Sequence, residues 1–197
     1  MKLTIPKLVA INNITVPRNP KQEFEIQRAI IFMAKTFDKK GLNSKSKSVV
    51  FHSIRVGMLL WQNGAPQISI MAGFLHDLLE DSSLTKAELS NEFGESIASI
   101  VEALSFDHSS HSYDQKLDAA LESHKKTVAL GTKATCIRAC DLVDNSLYYH
   151  QANDPAHKHY LYRKYVAFME MSRDQLEGTP FWNMLNKTFE AKVQQLV

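Results

Sequence analysis

Apolar residues recur at helical spacing along most of this chain. Phe24, Ile30, Ile31, Ala34 and Phe37 mark one amphipathic helix that stops near Gly41. A second is predicted over 49–61, with Val49, Phe51, Ile54, Val56 and Leu59 around His52, and Asn63-Gly64 with Pro66 ends it. A third runs over 67–79. Thr85 with Glu88 three residues on fits a capping box, opening a short helix that closes at Phe93-Gly94. Further helices are predicted over 95–104, 117–130, 134–147, 160–176 and 181–196, with a loop at 106–114. No stretch shows sustained alternation of apolar and polar residues, and Gly and Pro fall mostly between the helices. The pattern predicts an all-α, single-domain helical bundle over 21–197, preceded by an arm over 1–20. Pro6, Pro17 and Pro20 favour extended backbone in that arm.

Composition narrows the picture. With 197 residues and 44% hydrophobic content, the chain can bury one substantial core. A net charge of +2 is too small to argue for a nucleic-acid partner. No apolar run approaches the roughly 20 residues of a membrane span, and no apolar leader opens the chain, so a cytoplasmic protein is expected. Cys136 and Cys140 are four apart on one helix face and read as core residues rather than a disulfide.

One stretch breaks the ordinary pattern. Gly73-Phe74-Leu75-His76-Asp77-Leu78-Leu79-Glu80-Asp81 sets four ionisable side chains among residues that seek burial. Buried charge demands a partner or a metal. On a continuous helix His76 would share a face with Glu80, and Asp77 with Asp81, while His76 and Asp77 would point roughly 100° apart. His52 and Asp141 lie in similarly apolar helices, and the candidate metal set is His52, His76, Asp77 and Asp141. Two imidazoles and two carboxylates suit a divalent ion with open positions, Mn²⁺ or Fe²⁺, ahead of Zn²⁺. Read alone, Asp141 also fits a helix cap or a salt bridge at the core edge. Asp107, His108, His111 and Asp114 have metal-like spacing in a polar loop that could cover a site mouth. His157 and His159 open a helix and read as solvent-facing. Tyr148, two turns beyond Asp141, is the tyrosine best placed to line a cleft.

These residues resemble the HD-domain metal phosphohydrolases, defined by a His, a distant His-Asp pair and a later Asp. The run of residues 73–81, then Leu84-Thr85 and Phe93-Gly94, is similar more narrowly to the hydrolase domain of the RelA/SpoT stringent-response proteins. So are residues 121–126 and Ile137-Arg138-Ala139-Cys140-Asp141 with Asn145 four further on. The resemblance spans about residues 25–170. It implies an HD-type bundle in which His52, His76, Asp77 and Asp141 hold one Mn²⁺. Glu80 and Asp81 would orient or deprotonate the attacking water, and Asn145 would contact the nucleoside. The implied activity is removal of the 3′-pyrophosphate from guanosine tetra- or pentaphosphate, a small nucleotide substrate. The loop before His52 departs from the family's pattern, and Lys45 and Lys47 there would meet phosphates as point charges. The Arg that follows the late Asp in the family is Leu142 here. These departures keep two alternatives open: an HD phosphohydrolase of another nucleotide or phosphodiester, and a non-catalytic nucleotide-binding module. No synthetase or regulatory domain is expected in 197 residues, and the chain would resemble the small stand-alone hydrolases. No oligomeric state is predicted.

Overall fold

A computed structural model describes residues 19–38, 48–106 and 112–197. The greater part of the expected N-terminal arm, Lys45 and Lys47, and the loop residues Asp107, His108 and His111 lie outside the described residues. Among the described residues there are helices and turns and no strand.

Helix α1 (Pro20–Asp38) buries Ile26, Ala29, Met33 and Phe37, a stripe at spacings of three and four. Helices α2 (Val49–Gln62) and α3 (Gln67–Leu75) form a tight hairpin. Gly64 takes the left-handed conformation (φ 72°) that the reversal requires, and the Ala65 N–H donates to the Leu60 carbonyl at 3.0 Å. Two glycines let these helices approach. A Cβ on Gly57 would lie 2.5 Å from the Phe74 ring, and one on Gly73 would collide with Leu60. Every residue from Ser69 to Leu75 is buried, so α3 runs through the interior.

The predicted helix over 67–79 is interrupted. α3 ends at Leu75, a turn holds His76 and Asp77, and a short α4 (Leu78–Asp81) follows. Asp77 has ψ near zero (−1°), and the His76 Nδ1–H bonds the Gly73 carbonyl at 2.8 Å in place of a regular continuation. Helix α5 (Lys86–Phe93) has the predicted capping box: Glu88 N–H donates to the Thr85 hydroxyl, and Thr85 N–H to Glu88 Oε2 at 2.8 Å. Helix α6 (Glu95–Leu104) follows, then α7 (Tyr113–Ala129), which starts within the stretch expected to be loop.

Helix α8 (Thr132–Asn145) is the centre of the molecule and packs against α2, α3, α7, α9 and α10. Ala134, Ile137, Ala139, Cys140 and Leu142 are buried there, and both cysteines are free thiols. It passes into a 3₁₀ turn (Ser146–Gln151) rather than running to 147 as helix. Helix α9 (Pro155–Leu176) begins earlier than expected, because Asp154 accepts the Ala156 N–H at 3.0 Å and Pro155 occupies the first turn. Helix α10 (Pro180–Thr188) is capped by Thr179 and relaxes into π and 3₁₀ turns over 189–196, where a single helix was expected.

Candidate metal centre

Three helices deliver the ionisable groups. His52 comes from the middle of α2, His76 and Asp77 from the turn after α3, and Asp141 from α8. His52 and His76 are buried, as is Asp141. One ligand atom each from His52, His76 and Asp141 lies within 4.8 Å of the others. The two Nε2 atoms are 3.1 Å apart. Asp141 Oδ1 is 3.2 Å from His52 Nε2 and 3.8 Å from His76 Nε2. Asp77 joins through Oδ1, 3.0 Å from His76 Nε2, and Oδ2, 3.5 Å from His52 Nε2. His76 and Asp77 both reach the cluster from the turn after α3.

The hydrogen bonds fix which nitrogen faces inward. The Gly73 carbonyl can only accept, so His76 carries its proton on Nδ1. His52 Nδ1 lies 2.6 Å from Asp144 Oδ2, another acceptor. With both rings neutral, the two Nε2 atoms present lone pairs to each other at 3.1 Å, beside two carboxylates. That contact is relieved by a positive charge between the nitrogens, either a proton on His76 or a metal ion. Three of the five separations, 3.0–3.2 Å, match the roughly 3.0–3.4 Å edges expected around an ion with bonds of about 2.1 Å, and the other two, 3.5 and 3.8 Å, are longer. A divalent metal fits this donor set.

The electrostatics agree. Burial pulls the His76 imidazole down, but the carboxylates of Asp77 and Asp141 outweigh it and push it up to about 10. Burial would raise Asp141, yet His52, His76 and the Arg138 guanidinium hold it well below the usual carboxylate range. The cluster attracts positive charge. Asp141 is itself steadied from both sides: Arg138 Nη1 donates to Oδ2 at 2.8 Å, and Asn145 Nδ2 to Oδ1 at 2.5 Å. Arg138 is anchored in turn by the Leu104 carbonyl and the Ser123 hydroxyl.

A cavity of about 600 Å³ opens over Asp77 and Asp141. Glu80, Asp81, Asn145 and Tyr148 all line it. Glu80 Oε2 accepts the Phe106 N–H at 3.2 Å, which orients its carboxylate. The Tyr148 hydroxyl accepts from Arg55 Nη2 at 2.9 Å. Sequence reasoning missed much of the wall. Arg138, Lys116 and Lys164 supply cations, and Tyr113, His157 and Tyr160 supply an aromatic side. His157, expected to face water, is half-buried and stacks on Tyr113 at 5.2 Å between centroids, whereas His159 is exposed. The signal was the helical spacing of Tyr113 with Lys116 on α7, and of His157, Tyr160 and Lys164 on α9.

Comparison with known proteins decides the family. The model of the HD domain family matches residues 29–166, well over half of the chain. The chain belongs to the HD domain family. Among curated relatives, this HD domain is 34% identical over 85 residues to the guanosine-3′,5′-bis(diphosphate) 3′-pyrophosphohydrolase of Aquifex aeolicus, covering 43% of the chain and 12% of that protein. It is 28% identical over 129 residues to the enzyme of the same name from Borreliella burgdorferi, covering 59% of the chain and 19% of that protein. The match thus spans less than a fifth of either relative's length. A solved structure described as a metazoan ortholog of SpoT that hydrolyzes ppGpp superposes with a TM-score of 0.65 at 18% identity. That match covers 88% of this chain and 97% of the other, and it bears on the fold.

Proposed function

We propose that this HD domain is a metal-dependent hydrolase that removes the 3′-pyrophosphate from guanosine tetra- or pentaphosphate. The observation that carries the proposal is the His52–His76–Asp141 cluster with Asp77 against it, its two aspartates lining a cavity that also has cationic side chains in its wall. The names of the relatives supply the substrate. His52, His76, Asp77 and Asp141 would hold the ion, Mn²⁺ in this reading. Bound there, it would lower the pKa of water and offset phosphate charge.

The remaining chemistry belongs to the chain. Glu80 takes the proton of the attacking water, and Asp81 orients that water. The new bond forms between the water oxygen and the phosphorus joined to the ribose 3′ oxygen. The P–O3′ bond breaks, the 3′ oxygen gains a proton, and pyrophosphate leaves with GDP or GTP. Lys45, Lys47, Asn145 and Tyr148 are proposed to hold the nucleotide. A small nucleotide in the cytoplasm is the expected partner, with neither nucleic acid nor membrane. No helix among the described residues is long and apolar enough to cross a membrane.

One observation favours a second reading. Asn145 donates to Asp141 and Tyr148 accepts from Arg55, so the proposed nucleoside contact and the cleft-lining tyrosine both already serve protein partners. That geometry suits an HD hydrolase with looser base selection, acting on another nucleotide polyphosphate. Incubation with guanosine and adenosine polyphosphates and Mn²⁺, followed by product identification, separates the two. The proposal predicts GDP and pyrophosphate in equal amounts from guanosine tetraphosphate. Turnover of another nucleotide alone would replace the substrate; tight binding without turnover would make this a binding module.

A further inference from the structure

We propose that Asp144, clamped by Arg55, is a positioning residue for His52, holding its ring so that Nε2 faces the metal centre. This rests on the metal-centre reading above. Asp144 is 2% exposed, and its Oδ2 lies 2.6 Å from His52 Nδ1. Nδ1 is on the ring edge away from the cluster, so Asp144 is no ligand. A second helix-borne contact fixes the carboxylate: Arg55 Nε donates to Oδ1 at 2.6 Å and Nη2 to Oδ2 at 2.9 Å, a two-pronged fork. The same Nη2 reaches the Tyr148 hydroxyl at 2.9 Å, and the guanidinium lies 5.8 Å from that ring's centroid.

The arrangement follows from helix periodicity. His52 and Arg55 are three apart on α2, and Asp141 and Asp144 are three apart on α8, so each pair shares a face. Where the helices meet, Asp141 touches Nε2 and Asp144 touches Nδ1, and α8 grips both edges of one imidazole. The other imidazole is held differently. His76 donates Nδ1–H to a backbone carbonyl, a contact that no side-chain substitution removes. Of the two histidines, His52 owes its ring orientation to a side chain, and that side chain carries the charge that makes the imidazole a better donor.

The test is Mn²⁺ affinity of chelator-treated protein, read by electron paramagnetic resonance of the free ion, beside the melting temperature of the metal-free form. Asp144→Asn is expected to weaken Mn²⁺ binding about 10- to 100-fold, the range for such outer partners. Arg55→Met should weaken it by a smaller factor with the metal-free melt little changed, and Arg55→Lys should restore part of the loss. Should Asp144→Asn fail to fold, Arg55→Met decides alone. Wild-type affinity in the variants overturns the positioning role while leaving the metal centre intact. A wild-type protein that binds no Mn²⁺ overturns both.

Discussion

At His52 and His76 two imidazole Nε2 atoms face each other at 3.1 Å in a buried site with carboxylates on both flanks. Each candidate ligand would act through this shared charge balance. Asp77→Ala or Asp141→Ala should abolish hydrolysis and metal binding together. Glu80→Ala should leave metal binding intact and slow turnover by about 10²–10⁴-fold, the usual contribution of a positioned base, as measured by pyrophosphate release. A separate histidine adds to the acid sensitivity. His124 is buried beside Phe168, and burial, with Arg138 and Lys164 nearby, holds its imidazole well below the usual value. The unfolded chain therefore binds a proton there that the folded chain refuses, so His124's own contribution to stability is full above about pH 6.5 and falls as pH drops below it. In His124→Phe the acid arm of a plot of melting temperature against pH should flatten. The four candidate ligands were legible because charge inside an apolar run is conspicuous. Asp144 had the same apolar context, three residues from Asp141, but its partner His52 is 92 positions away and only packing brings them together. The cations and rings on α7 and α9 were hidden because ordinary amphipathic helices carry such residues too.

At the scale of elements, the crossing of α2 and α3 sets the site, because His52 rides on α2 and His76 sits in the turn directly after α3. Gly57 and Gly73 permit that crossing. Gly73→Ala should force Leu60 and the helices apart, costing about 1–3 kcal/mol in a denaturant melt and weakening metal binding as well. Thr85→Ala removes a capping box outside the cavity lining and should cost about 1 kcal/mol with Mn²⁺ affinity unchanged. Most helices were readable from their apolar spacing, and the Thr85–Glu88 box from its residue types. The break at His76–Asp77 was not, since apolar periodicity continues through Leu78 and Leu79. What stops the helix is a side chain taking a backbone carbonyl, which periodicity does not record.

At the scale of the whole molecule, one ion would tie α2, the turn after α3, and α8 together across the core. Binding to the folded state alone should raise stability by about 2.7 kcal/mol at a free concentration of 100 times Kd. For a chain of this size that corresponds to a melting temperature roughly 5–10 °C higher than in chelator. The shift should vanish in Asp141→Ala. The most direct measurement is an anomalous difference map at the manganese absorption edge, from crystals grown with Mn²⁺. The account predicts one peak per chain, bonded to both Nε2 atoms of His52 and His76 and to carboxylate oxygens of Asp77 and Asp141. A map with no peak there, or with the ion held elsewhere in the cavity, would contradict it.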